Sequence, residues 1–173
     1  MEHSRLTLVM MAGLPGAGKT TLAYALEKEL GWRVIDKDKY RSTEFRDELD
    51  DELASRKAYD LSFTEIYHTL KEEQASVIFD TAALHSSIVD TVEEIAGSIA
   101  GVQLKVVLCV IDKEERDIRL RNRPEQYTRN TVDPATIADY LQLFDHLPTD
   151  RYTLHTHISP EECLMKTKAY IED

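Results

Sequence analysis

The chain has 173 residues, 42% of them hydrophobic, which suits one domain around a single core with no second needed. Its 32 acidic residues against 21 Lys plus Arg give a net charge of -11. That balance repels long polyanions and disfavours a protein that tracks many nucleic-acid phosphates, although binding of a single strand end stays open. Cys109 and Cys163 lie far apart and form neither a disulfide framework nor a zinc spacing, and no apolar run is long enough to span a bilayer.

Leu6 to Ala12 is an apolar run that reads as a first strand. The residues before it lack the charged start and long apolar middle of a signal peptide, so a soluble cytoplasmic protein with no membrane partner is expected. Next comes Gly13-Leu14-Pro15-Gly16-Ala17-Gly18-Lys19-Thr20, which fills G-x-x-x-x-G-K-[ST] without a mismatch. Thr21 follows, then a helical pattern with Leu22, Ala25, Leu26 and Leu30 on one face. Strand, glycine loop and helix in that order are the context of a phosphate-binding loop. Its glycines let the amides turn inward around an anion, and the helix start adds partial positive charge. A nucleoside triphosphate, ATP with GTP left open, is expected against Gly13, Pro15, Gly16, Ala17, Gly18, Lys19, Thr20 and Thr21. Lys19 would reach the outer phosphates and Thr20 would bind Mg²⁺.

Gly31 closes that helix, and Trp32 to Asp36 reads as the second strand. The polar stretch Lys37-Asp38-Lys39-Tyr40-Arg41 leads into acids between Ser42 and Arg56, read as a solvated helix face that could also select against anionic acceptors. Phe63, Ile66, Tyr67 and Leu70 have the spacing of a core-facing helix, and Ser76 to Asp80 is a buried strand ending on a carboxylate, with Thr81 beside it. Ile88, Val92, Ile95 and Ile99 mark a helix closed by Gly101, and Leu104 to Ile111 is a central parallel strand that carries Cys109 into the core.

From Asp112 a helix carries Arg116, Arg119, Arg121 and Arg123 up to Pro124. Val132-Asp133-Pro134 reads as the entry of a helix with Ile137, Leu141 and Phe144 on its apolar face. Tyr152 to Thr156 is the fifth strand, and the last helix runs from Ser159 or Pro160 to Ile171. His155 and His157 share a strand face but have no third metal ligand in view. The alternation predicts an α/β three-layer α/β/α sandwich with a five-stranded parallel sheet and a helical, arginine-bearing lid near 116–133, all one domain over 1–173.

Ligands of such sheets sit at the carboxyl ends of the strands, where the loop at Gly13, Asp36 to Arg41, and Asp80 all fall. A carboxylate at Asp38 can look across the crevice at the terminal phosphate and accept the proton of an acceptor hydroxyl. Asp80 suits Mg²⁺ or the hydroxyls of the acceptor, the alternative being a helix cap. Arg119 and Arg123, on one helical face, and Arg129 would neutralise charge on the transferring phosphoryl group; the alternative is a helix laced with ion pairs.

These residues in this order resemble the small P-loop kinases that phosphorylate hydroxyl groups, a set that includes polynucleotide 5′-hydroxyl kinases, gluconate kinases, chloramphenicol phosphotransferases and zeta-toxin-like kinases, often labelled AAA family ATPases. The likeness is strongest to the polynucleotide kinase domain, which typically has Gly-x-Pro-Gly-x-Gly-Lys-[Ser/Thr], then Arg-Asp-x-Tyr-Arg, then Asp-Thr-Asn. This chain has Gly13 to Thr20, then Lys37-Asp38-Lys39-Tyr40-Arg41, then Asp80-Thr81-Ala82. The resemblance implies a P-loop NTPase fold, ATP and Mg²⁺ as cofactors and Asp38 as general base. It implies that Arg41 contacts the acceptor and the transferred phosphate, that Lys37, Tyr40, Asp80 and Thr81 lie on the acceptor side, and that Arg119 and Arg123 clamp phosphate. Lys37 in place of arginine and Ala82 in place of asparagine depart from the polynucleotide pattern. With the charge of -11 they turn the expectation toward a small hydroxylated acceptor or a nucleoside. A polynucleotide 5′-hydroxyl kinase, and an ATPase or toxin-type kinase with a protein partner, are the alternatives.

Overall fold

The computed structural model describes residues 5–123 and 133–173, so Pro124, Arg129, Val132 and half of the expected lid lie outside the described residues. Leu6–Ala12 (β1) is buried along its whole length, as a strand covered on both faces must be. It pairs in parallel with Val77–Asp80 (β3) on one side and Val102–Val110 (β4) on the other. Arg33–Asp36 (β2) and Tyr152–His155 (β5) form the edges, giving the order β2-β3-β1-β4-β5 with every pairing parallel. The helices are Lys19–Leu30 (α1), Lys37–Thr43 (α2), Asp51–Lys71 (α3), Ser86–Ser98 (α4), Lys113–Arg121 (α5), Ile137–Gln142 (α6) and Pro160–Glu172 (α7). The α/β fold with a five-stranded parallel sheet is the one expected, and its central strand ends on the phosphate loop.

Local chemistry explains the boundaries, and several differ from expectation. Helix α1 buries Leu22, Ala23 and Leu26, with Ala25 and Leu30 at the margin, and ends at Gly31, whose left-handed backbone lets its amide bond Glu27 O. The acids after Thr43 do not form one helix face. Asp50 instead turns its carboxylate onto the amides of Glu52 and Leu53 and starts α3, because a short acidic side chain competes with helical bonding until it can cap. Within α3 the buried line is Ala54, Ala58, Ser62, Ile66 and Leu70, with Thr69 beside it. Tyr67, expected on the core face, is 44% exposed, since it stands about 100° around the helix from Ile66. Helix α4 buries Val89, Val92 and Ala96, and Ile88 and Ile95 flank that line. Helix α6 starts at Ile137 and not at Val132-Asp133-Pro134, because Thr136 supplies the hydroxyl that accepts from the Asp139 amide.

Cys109 is fully buried in β4, and burial pushes its thiol up to about 12. Only about one thiol in ten thousand is then ionised at pH 8. Iodoacetamide at that pH is expected to leave Cys109 unmodified in the folded chain and to alkylate it after unfolding in guanidinium, as peptide mass spectrometry would show. Rapid labelling of the folded chain would contradict this packing.

Candidate active site

Where β1 ends, the backbone must turn beneath the sheet edge, and two glycines allow it. Gly13 has φ of 134°, and a Cβ there would stand 2.4 Å from Cys109 O; Gly16 has φ of 87°, and a Cβ would stand 2.8 Å from Arg116 Cγ. Neither position admits a side chain without displacing its neighbour.

The loop they form is fastened from several sides. Gly13 donates its amide to Ala82 O (3.2 Å), Leu14 donates its amide to Tyr140 Oη (2.8 Å), and Thr156 Oγ1 donates to Ala17 O (2.8 Å). Tyr140 is 1% exposed and donates its own proton to Cys109 O at 2.8 Å, so one hydroxyl joins the loop to β4. The sequence reading passed over Tyr140. Its signal was there, since residues 137, 140, 141 and 144 follow the spacing of a buried helix face and a buried tyrosine needs a partner for its hydroxyl. Tyr140→Phe leaves the Leu14 amide without that acceptor; it is expected to lower stability by about 1–3 kcal/mol in urea unfolding and to weaken nucleotide binding. An unchanged midpoint and unchanged affinity would show that the hydroxyl does not hold the loop.

At the start of α1, Lys19 is buried and donates from Nζ to Leu14 O at 3.1 Å. Burial lowers its pKa, with the Asp80 charge opposing that shift. Thr20 Oγ1 donates to Asp80 Oδ2 at 2.6 Å, while the buried Asp80 Oδ1 has no partner among the described residues. Burial pushes the Asp80 carboxyl up to about 6 against the pull of Lys19 and Thr20, and Asp36 and Asp38 push it the same way as burial. A hydroxyl and a carboxylate with an unpartnered oxygen, both hard donors beside a phosphate loop, fit Mg²⁺, which binds through one or two protein oxygens and completes its shell with water and phosphate. Among the described residues no cluster of three or more His, Cys, Asp or Glu forms a fuller metal cage. That result includes His155 and His157, whose exposed rings lie 6.2 Å apart.

The parallel register sets Asp36 at the end of β2 directly beside Asp80 at the end of β3. Asp36 caps α2 through the Lys39 amide (3.0 Å) and accepts from Tyr24 Oη (3.3 Å), which helps to raise the Tyr24 phenol to about 12 after burial. The sequence reading did not single out this second carboxylate, although Asp36 and Asp38 bracket the strand end. Asp38 projects from the first turn of α2 with its side chain 73% exposed, and Lys37 Nζ reaches its Oδ1 at 2.6 Å. Lys37 lies 5.1 Å over the Tyr59 ring, and Tyr59 Oη shares a hydrogen bond of 3.1 Å with the buried Thr81 Oγ1. Lys37, Asp38, Thr81 and Asp80 thus gather at the carboxyl ends of β2 and β3.

Arg41 and Tyr40 have other partners. Arg41 donates to Phe45 O and pairs with Asp51, which ties α2 to α3. Tyr40 lies beside Arg33 and Glu65 at the outer edge.

The arginines after β4 divide in the same way. Arg116 is 2% exposed, packs under Gly16 and pairs with Asp133 at 2.6 Å. Arg119 donates to Thr156 O at 2.7 Å next to Gly18, and pairs with Glu115. Helix α5 ends at Arg121, so Arg119 and Arg123 do not share a helical face as expected; Arg123 follows the Asn122 cap, where its amide bonds Leu120 O. Its charge acts on Lys19, as do those of Asp38 and Asp80.

A family model described as an AAA domain matches residues 8–147. Among solved structures, a protein from Chloroflexus aurantiacus assigned as a kinase superposes with a TM-score of 0.72 at 19% identity, over 96% of this chain and 99% of that one. A sugar kinase from Janibacter sp. HTCC2649 has a TM-score of 0.66 at 20% identity, over 97% and 94%. An APS kinase from Mycobacterium tuberculosis, in complex with AMPPNP and APS, has a TM-score of 0.64 at 17% identity, over 98% and 99%. At these identities the likeness is one of fold. No curated protein matches the chain in sequence.

Proposed function

Because the chain belongs to the AAA-domain family and has the fold of small P-loop kinases, we propose that it is an ATP- and Mg²⁺-dependent kinase that transfers the γ-phosphate to a hydroxyl group of a small molecule or nucleoside. The observation that carries this reading is the Thr20–Asp80 pair, with its unpartnered Asp80 Oδ1, beside a buried Lys19 and across from Asp38. The complex of the APS kinase with AMPPNP supports ATP as the donor, and the sugar kinase supports a hydroxyl acceptor.

The amides of Gly16, Gly18, Lys19 and Thr20 would cradle the β- and γ-phosphates, since those of Gly13, Leu14 and Ala17 are bonded within the fold and Pro15 has none, and Lys19 moves its Nζ from Leu14 O to the outer oxygens. Thr20 and Asp80 would hold Mg²⁺, which supplies charge neutralisation to the phosphate oxygens. Asp38 accepts the proton of the acceptor hydroxyl as its oxygen bonds to the γ-phosphorus; the bond from the γ-phosphorus to the bridging oxygen breaks, and ADP leaves with the electron pair. Arg123, on the Lys19 side, stabilises negative charge on the transferring group, and Arg119 fixes the loop and the Thr156 turn against the nucleotide. Arg41 acts indirectly, by setting the angle between α2 and α3. Among the described residues no helix is long and apolar enough to cross a membrane.

The test is transfer from γ-labelled ATP with Mg²⁺ to sugars, nucleosides, 5′-hydroxyl oligonucleotides and hydroxylated antibiotics. Label on an acceptor is the expected result. ATP hydrolysis alone, unchanged by every acceptor, would overturn the kinase reading.

A further inference from the structure

We infer that the acceptor is uncharged or cationic, a hydroxylated molecule with no carboxylate, sulfate or phosphate of its own; this rests on the kinase reading above. Beyond Asp80 the crevice is bounded by the end of β2, by α2 and by α3. Helix α2 brings two partly buried cations to this end, Lys37 with 14% and Arg41 with 20% of its side chain exposed. Each is already matched. Lys37 holds Asp38 at 2.6 Å and lies on the Tyr59 ring, and Arg41 holds Asp51 and Phe45 O. Lys39, Arg56 and Lys57 stand in solvent. The charge of Arg123 is felt at Lys19, in the phosphate loop.

The acids at the same end are close enough to act on one another, since Asp36 and Asp38 both bear on Asp80. An anionic acceptor would enter among three carboxylates, and among the described residues the two cations at this end are already matched, Lys37 to the proposed base and Arg41 to Asp51. Drawing Lys37 away would unseat Asp38. A neutral polyol or nucleoside meets no such conflict, and its hydroxyls can donate to the same carboxylates. An amino group would find the acids themselves.

The experiment measures kcat/KM for transfer from γ-labelled ATP to matched acceptors: glucose, glucosamine and glucuronate; adenosine and adenosine 3′-monophosphate; ribitol and ribonate; and kanamycin as a polycation. The neutral or cationic member of a set is expected to exceed its anionic partner by about 100-fold. Equal or faster transfer to an anionic partner would overturn the inference and leave the kinase reading standing. No label on any member, with ATP hydrolysis indifferent to them all, would overturn the kinase reading and this inference with it.

Discussion

Asp38→Asn is expected to lower kcat for phosphoryl transfer by about 10³-fold while leaving the dissociation constant of Mg²⁺-ATP within about threefold. An amide cannot take the proton of the acceptor hydroxyl, so the step that makes the new oxygen–phosphorus bond loses its base. Binding should survive because Asp38 projects from α2, with most of its side chain in solvent and none of the bonds that fasten the loop. The fold should survive as well. The cap of α2 is Asp36, whose Oδ1 takes the Lys39 amide, and the Lys37–Asp38 pair, being largely exposed on the acid's side, contributes only about 0–1 kcal/mol. Lys37 also retains the Tyr59 face. Single-turnover transfer and a nucleotide titration separate the two effects. Normal transfer by Asp38→Asn would dismiss Asp38 as the base and turn attention to Asp36, the neighbouring carboxylate.

Lys19→Ala is expected to lower kcat by at least about 10³-fold for transfer and for hydrolysis alike, because it removes the one cation seated inside the loop. The cost of that seat is visible in the resting structure. Burial disfavours the charged ammonium, and the charge of Asp80 with the bond to Leu14 O offsets part of the penalty. A buried cation held against desolvation gives its largest return when negative charge arrives beside it. Lys19→Met, which keeps the volume of the chain, should behave as Lys19→Ala does; the pair of variants distinguishes loss of charge from loss of packing. If both kept kcat within about tenfold, the triphosphate would not bind at this loop.

Strands and loop were legible in the sequence to within a residue or two. Leu6–Ala12 was read with its observed bounds, and the glycine loop followed from spacing. The misplacements share a cause. Tyr67 was assigned to the core from its spacing to Phe63, yet the side of α3 that meets the sheet is chosen by small residues at Ala54, Ala58 and Ser62, which periodicity does not weigh. The arginines show the same limit. Four in two turns leave a phosphate clamp and a helix laced with ion pairs both open, and the structure pairs Arg116 with Asp133 and Arg119 with Thr156 and Glu115. Arg41 likewise matched a motif position and is held by Asp51 and Phe45 O.

The sequence by itself determined the order of the elements, the phosphate loop and the carboxylates at the strand ends, because hydrophobic period, glycine backbone freedom and capping act over a few residues. The tertiary structure alone decided which of those groups meet. Tyr140 bonds Leu14 across 126 positions, Thr156 bonds Ala17 across 139, and Thr20 bonds Asp80 across 60. Such pairs are set by the parallel register and by the burial of Tyr140, Thr156 and Asp80. Burial then fixes what each can do: it lowers the Lys19 pKa, raises that of Asp80, and leaves one oxygen of Asp80 without a partner where a cation would sit.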